Sequence, residues 1–101
     1  MIKVQLFDVL SHIEIERKRQ LILKAQGRFK YTPSDDELTD FERLAMIAEE
    51  LGEVSRNCLA RAQLVTDGEK SDPALYKELG QVAALSVAWM QSLDIYKGVA
   101  K

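Results

Sequence analysis

Residues Leu79 to Leu93 read LGQVAALSVAWMQSL, fifteen in a row without a charge. Apolar or small side chains recur on every side of a helix with this sequence, so such a helix must be covered nearly all round. It is too short, and too rich in Gln and Ser, for a membrane span, which needs about twenty apolar residues. Asp72-Pro73 offers the helix a start, with aspartate as N-cap and proline at the first helical position, and Gly98 offers an end.

Outward from this segment, the breakers divide the rest of the chain. The stretches GRFKYTPSDDEL (Gly27 to Leu38) and TDGEKSDP (Thr66 to Pro73) hold both prolines and two of the five glycines, and read as loops. Between them, Thr39 followed by Glu42 has capping-box spacing and starts a second helix that reaches about Gln63. Phe41, Leu44, Ala48, Leu51, Ser55, Cys58, Leu59 and Ala62 fall on one side of it and are expected to face the core. Glu50 lies about 100° from the centre of that stripe, Glu53 one step further out, and Glu49 points away. Before the first loop, Leu6, Val9/Leu10, Ile13, Arg17, Leu21 and Lys24/Ala25 follow a three-four rhythm from Val4 to Ala25, with a polar middle, EIERKRQ. The expected fold is all-α: an antiparallel bundle of three main helices in a single domain, residues 1–101.

Composition excludes several classes. Fourteen Lys+Arg against sixteen Asp+Glu give a net charge of -2, which argues against a dedicated nucleic-acid surface. One cysteine, Cys58, forms neither an internal disulfide nor a metal knuckle, and reads as a small core residue. One histidine, His12, is no metal site and reads as a surface or satisfied position. MIKVQLFDVL carries Asp8 and no long apolar run, so a signal peptide is not expected and the cytoplasm is the default compartment. No membrane partner is expected.

Three helices of this length do not easily bury one that is apolar all round, because small domains hide only about two thirds of their chain surface. Self-association is the simplest remedy, with the third helix near the subunit interface, where Gly80, Ala83, Ala84, Ser86 and Ala88 would admit another backbone. The alternative is a monomeric bundle with one greasy face.

The acids bear on chemistry. Glu78 is surrounded at helical spacing by Leu75, Leu79, Val82, Leu85 and Trp89, so its carboxylate projects from the most buried face of the third helix. An unpaired buried carboxylate is costly. Two compensations stand open: a basic partner such as Arg17 or Lys24, or a divalent cation shared with Glu50 and Glu53 of the second helix. Mg²⁺ takes oxygen ligands and often sits beside substrate phosphates.

The two-part pattern EELGEV, a 24-residue spacer (positions 54–77), then KELGQVAAL, resembles the signature of the MazG-like, all-α nucleotide pyrophosphohydrolases. The match covers the second and third helices, about half the chain, and EIERKRQ is similar to the first helix of small members. The resemblance implies a helical bundle that forms a homodimer or dimer of dimers. It also implies Mg²⁺, with Mn²⁺ as an alternative, holding the phosphates of a nucleoside triphosphate while water attacks the α–β linkage. Glu50, Glu53 and Glu78 would be metal ligands, and Glu49, with Glu50, would serve catalysis by orienting water. Gln81 stands where the family pattern has aspartate: its amide oxygen can ligate a metal, but it brings no charge and cannot act as a base. That departure keeps open a non-catalytic helical dimerisation or regulatory module. For the nucleotide substrate, Arg17, Arg19 and Gln20 could contact phosphate, or form a solvated polar face; Phe29 and Tyr31 could stack on a base, or anchor the loop. Trp89 reads as core.

Overall fold

A computed structural model describes residues 4–28, 37–65, 68 and 70–93. Three helices account for most of them: α1 (Leu6–Ala25), α2 (Asp40–Arg61) and α3 (Asp72–Ser92). There is no strand among the described residues.

The helix ends follow local chemistry. Thr39 caps α2 with the full capping box: its hydroxyl accepts from the Glu42 amide at 3.1 Å, and the Glu42 carboxylate accepts from the Thr39 amide at 2.9 Å. The bond from the Thr39 amide, with the Thr39 hydroxyl beside it, favours the charged carboxylate and holds the Glu42 pKa below its ordinary value. At α3 the cap falls one residue earlier than expected. Ser71 is the N-cap, its hydroxyl accepting from the Ala74 amide at 3.2 Å, and Asp72-Pro73 opens the helix proper. Asp72 is thereby freed to meet Arg61 at 2.6 Å, tying the end of α2 to the start of α3. The C-termini of α1 and α2 share one device. In each, a residue with positive φ lets the next amide reach back five residues: Gly27 (φ 76) with Arg28 N to Leu23 O at 2.8 Å, and Gln63 (φ 60) with Leu64 N to Leu59 O at 2.8 Å. The expected stop at Gly98, and the loop aromatics Phe29 and Tyr31, lie outside the described residues.

α3 is the central helix. It packs against both α1 and α2, which scarcely touch each other. Its small residues Gly80, Ala84 and Ala88 are buried, with Leu85, inside this one chain. The expectation that they wait for a second subunit's backbone is corrected accordingly: α1 and α2 already approach there. At Gly80 the approach is so close that an added Cβ would collide with the His12 imidazole. His12 is therefore not a surface or satisfied residue. Its ring lies 4.7 Å from that of Tyr76, and its Nε2 is buried with no hydrogen-bond partner among the described residues.

The faces of α1 and α2 also differ from the periodicity reading. Every member of the expected α2 core stripe, Phe41 to Ala62, is exposed, Cys58 among them; Phe41 is 83% exposed, Leu44 52% and Leu51 49%. The face turned toward α3 carries Arg43, Ile47, Glu50, Val54, Asn57 and Ala60 instead. On α1 the buried residues are Glu16, Arg17 and Gln20, while Leu6, Leu10 and Leu21 face out. Arg17 and Gln20 are thus not a solvated face. Both helices have two usable sides; the inward polar one is tied to α3 by Arg17 with Gln91 and Glu50 with Gln81, while Arg43 and Asn57 bond to Asp40 and Glu53 within α2. No helix among the described residues is long and apolar enough to cross a membrane.

Candidate functional site

The polar face of α2 meets α3 at three residues. One end of the Gln81 amide, one turn beyond Glu78, lies 3.0 Å from Glu50 Oε2 and 3.1 Å from Glu78 Oε2, and it donates to both once the nitrogen is assigned to that end, since an oxygen there would face only acceptors. Helical spacing explains the arrangement: Glu78 and Gln81, three apart, lie on one face of α3, and Glu50 faces them from α2. The carboxyl of Glu50 is pushed above its ordinary pKa, first by burial, then by the charge of Glu78 and a hydrogen bond with it, and less by Glu49 and Glu53. A pair of carboxyls bridged by one amide lacks positive charge at its centre.

Glu53 is close by but turned elsewhere. Both its oxygens accept from one guanidinium nitrogen of Arg56 at 3.0 Å. The two side chains are each almost half exposed, and a pair of that kind contributes about 0.2–1 kcal/mol. Glu49 is exposed, as its position on the helix requires. With Glu53 turned to Arg56, no three carboxylate, histidine or cysteine side chains among the described residues stand close enough together to hold a metal ion.

Beside the acids a cleft of about 260 Å³ opens between α2 and α3, lined by Glu53, Arg56, Asn57, Gly68, Lys77 and Glu78. Gly68 must be glycine: a Cβ there would stand 2.8 Å from the Arg56 carbonyl oxygen and 2.9 Å from the Ala60 Cβ. Asn57 is 7% exposed and donates to the Glu53 carbonyl at 3.2 Å, while its Oδ1 is buried without a partner among the described residues. Arg56, Asn57 and Lys77 carry no motif of their own. Their signal in the sequence is position alone: each lies within four residues of an acid on the same helix.

The other expected substrate residues lie apart. Arg17 donates from Nε to Gln91 Oε1 at 2.8 Å, ten residues or about 15 Å along α3 from Gln81. Gln20, 4% exposed, is also buried. At this end of the molecule Arg43 meets Asp40 at 3.3 Å, and Trp89, only partly buried, donates from its indole nitrogen to Asp40 at 3.3 Å. Phe29 lies outside the described residues.

Against known proteins, the chain matches no family model, no curated protein and no solved structure.

Proposed function

We propose that this chain is a Mg²⁺-dependent nucleoside triphosphate pyrophosphohydrolase of the MazG-like kind, acting as a homodimer of antiparallel helical bundles. The observation that carries the proposal is the meeting of Glu50, Glu78 and Gln81 at the α2–α3 seam. Two carboxylates and an amide are hard oxygen donors, the chemistry Mg²⁺ and Mn²⁺ accept. The raised pKa of Glu50, set first by burial and then by the charge of Glu78, fits the same reading, because a cation would offset both. Glu50, Glu78 and Gln81 would hold the metal, with Gln81 presenting its carbonyl oxygen, and Glu53 would join once turned from Arg56. When bound, the metal would neutralise phosphate charge and orient water. Glu50 and Glu49 would orient the attacking water, Glu50 from the seam and Glu49 from the exposed adjoining face.

Two further observations support the architecture. The end of α2 meets the start of α3 at Arg61–Asp72, and the start of α2 meets the end of α3 at Asp40–Trp89, as an antiparallel pair requires. The exposed stripe Phe41, Leu44, Leu51 and Leu59 on α2 is the surface a second subunit would cover. In this reading the dimer contact lies on α2 rather than α3.

The test is pyrophosphate release from a panel of nucleoside triphosphates with Mg²⁺, for the wild type and Glu50→Gln. Release by the wild type, reduced about a hundredfold or more in the variant, is expected. A second reading, a non-catalytic dimerisation module, is favoured by one observation: Gln81 satisfies both carboxylates without any metal. No release from any nucleotide, together with no Mg²⁺ effect on melting, would establish it.

A further inference from the structure

α2 turns one face to α3 and another to water. Counted in heptads, the residues that meet α3 fall at one position: Arg43, Glu50 and Asn57, each seven after the last. The alternate third and fourth residues from Phe41 to Ala62 fall at the two positions that form the seam of a coiled coil. All of them are uncharged, and all are exposed. The repeat is seven residues, kept for three heptads. A stripe of that period stays against a neighbour when two helices wind round each other, so it fits a partner helix better than a flat surface.

Side-chain size gives the direction. Leu44 and Leu51 occupy one seam position, and Ala48, Ser55 and Ala62 the other. A parallel copy would set leucine on leucine and alanine on alanine, with a gap at every second layer. An antiparallel copy sets the two positions against each other, so that each leucine meets a small residue. Centred on residue 53, such a pair lays Leu44 on the partner's Ala62, Ala48 on the partner's Cys58 and Leu51 on the partner's Ser55. Gly52 gives an independent sign. Glycine in mid-helix is unfavourable relative to alanine, yet a Cβ at Gly52 would meet nothing within 4 Å among the described residues. Beside the two-fold axis, Gly52 faces the partner's Gly52, and the missing side chains let two backbones close.

We propose that α2 pairs with α2 of a second copy as a two-stranded antiparallel coiled coil, its two-fold axis passing beside Gly52. The inference rests on the dimer contact proposed above and fixes its direction and register, independently of any metal or reaction.

Cys58, exposed in the seam, reports the direction. In the antiparallel pair the two native thiols stand about 15 Å apart along the helix, too far for a disulfide, whereas a parallel pair would bring them together. Ala48→Cys sets a second thiol opposite the partner's Cys58. The full chain, wild type and Ala48→Cys, is oxidised with diamide at micromolar concentration, and the linked peptides are mapped by mass spectrometry. The variant is expected to yield at least about tenfold more covalent dimer than the wild type, because paired thiols are held at an effective concentration far above micromolar. The bond should join positions 48 and 58, which lie about 15 Å apart within one helix and so link only between chains. Adding Leu44→Glu/Leu51→Glu should abolish it. Ala48 is exposed, so folding is expected to survive, and circular dichroism checks it. A wild type that links Cys58 to the partner's Cys58, or a sedimenting dimer in which Ala48→Cys forms no such bond, would overturn the antiparallel seam and leave the dimer standing. A wild type that sediments as a monomer would overturn both.

Discussion

Glu50 and Gly80 are the two positions at which single atoms decide the most. Glu50 titrates above the ordinary 4.5 because burial and the Glu78 carboxylate disfavour its charge. With the folded value raised, its contribution to stability is complete below pH 4.5 and is lost as pH rises through the folded value. Metal-free protein is therefore expected to melt lower at pH 7 than at pH 5. Glu50→Gln should flatten that dependence and raise the melting temperature at pH 7. Calorimetry across that range checks it; a variant as pH-sensitive as the wild type would remove Glu50 from the explanation. Gly80 is fixed by contact. Alanine there would strike the His12 ring, and a loss of about 1–3 kcal/mol is expected in thermal or urea unfolding. Part of that loss should return when His12→Ala is added, since the collision is with that side chain. The approach of Glu50 to Glu78 was legible in the sequence as one of two open readings, and the contact at Gly80 was not. His12 read as an ordinary surface or satisfied histidine, because periodicity places a residue on a face and says nothing of the atom facing it.

At the scale of the element, the caps were legible and the faces were not. The Thr39–Glu42 box is written in adjacent residues and forms as written. Ser71 displaced Asp72 as the α3 cap because either side chain can accept the orphan amide, and a shift of one residue released Asp72 to Arg61. The end of α2 leaves a correctable flaw. Gln63 holds φ 60, a conformation that suits glycine and strains a residue with a Cβ. Gln63→Gly is expected to stabilise the protein by about 1 kcal/mol, read as a higher urea midpoint at an unchanged slope. The acid spacing was equally legible: Glu50 and Glu53 one turn apart, Glu78 and Gln81 one turn apart on α3. That Glu50 turns to Gln81 while Glu53 turns to Arg56 was not, because a glutamate near the edge of a helix face can swing to either side.

Over the whole molecule, the unpartnered stripe on α2 is the dominant feature. Among the described residues Phe41, Leu44, Leu51 and Leu59 stand in water while Glu16, Arg17, Gln20, Arg43 and Asn57 are buried. Contiguous apolar surface of this kind drives association. Sedimentation velocity is expected to find a dimer for the wild type and a monomer for Leu44→Glu/Leu51→Glu, with helical content retained by circular dichroism. A wild-type monomer at micromolar concentration would remove the subunit interface from the proposal. The expectation of association came from the uncharged run of α3; within the chain α1 and α2 cover its Gly80, Ala84, Leu85 and Ala88, while Leu79 and Met90 stay exposed along with the stripe on α2.

The sequence by itself determined three helices, where each begins to within two residues, and the one-turn spacing of the acids, because caps, breakers and periodicity act over a few neighbouring residues. Only the tertiary structure decided which side of α1 and α2 turns inward. A helix with one apolar and one polar side can dock by either, and the choice rests on contacts between residues far apart in the chain, which local periodicity does not carry.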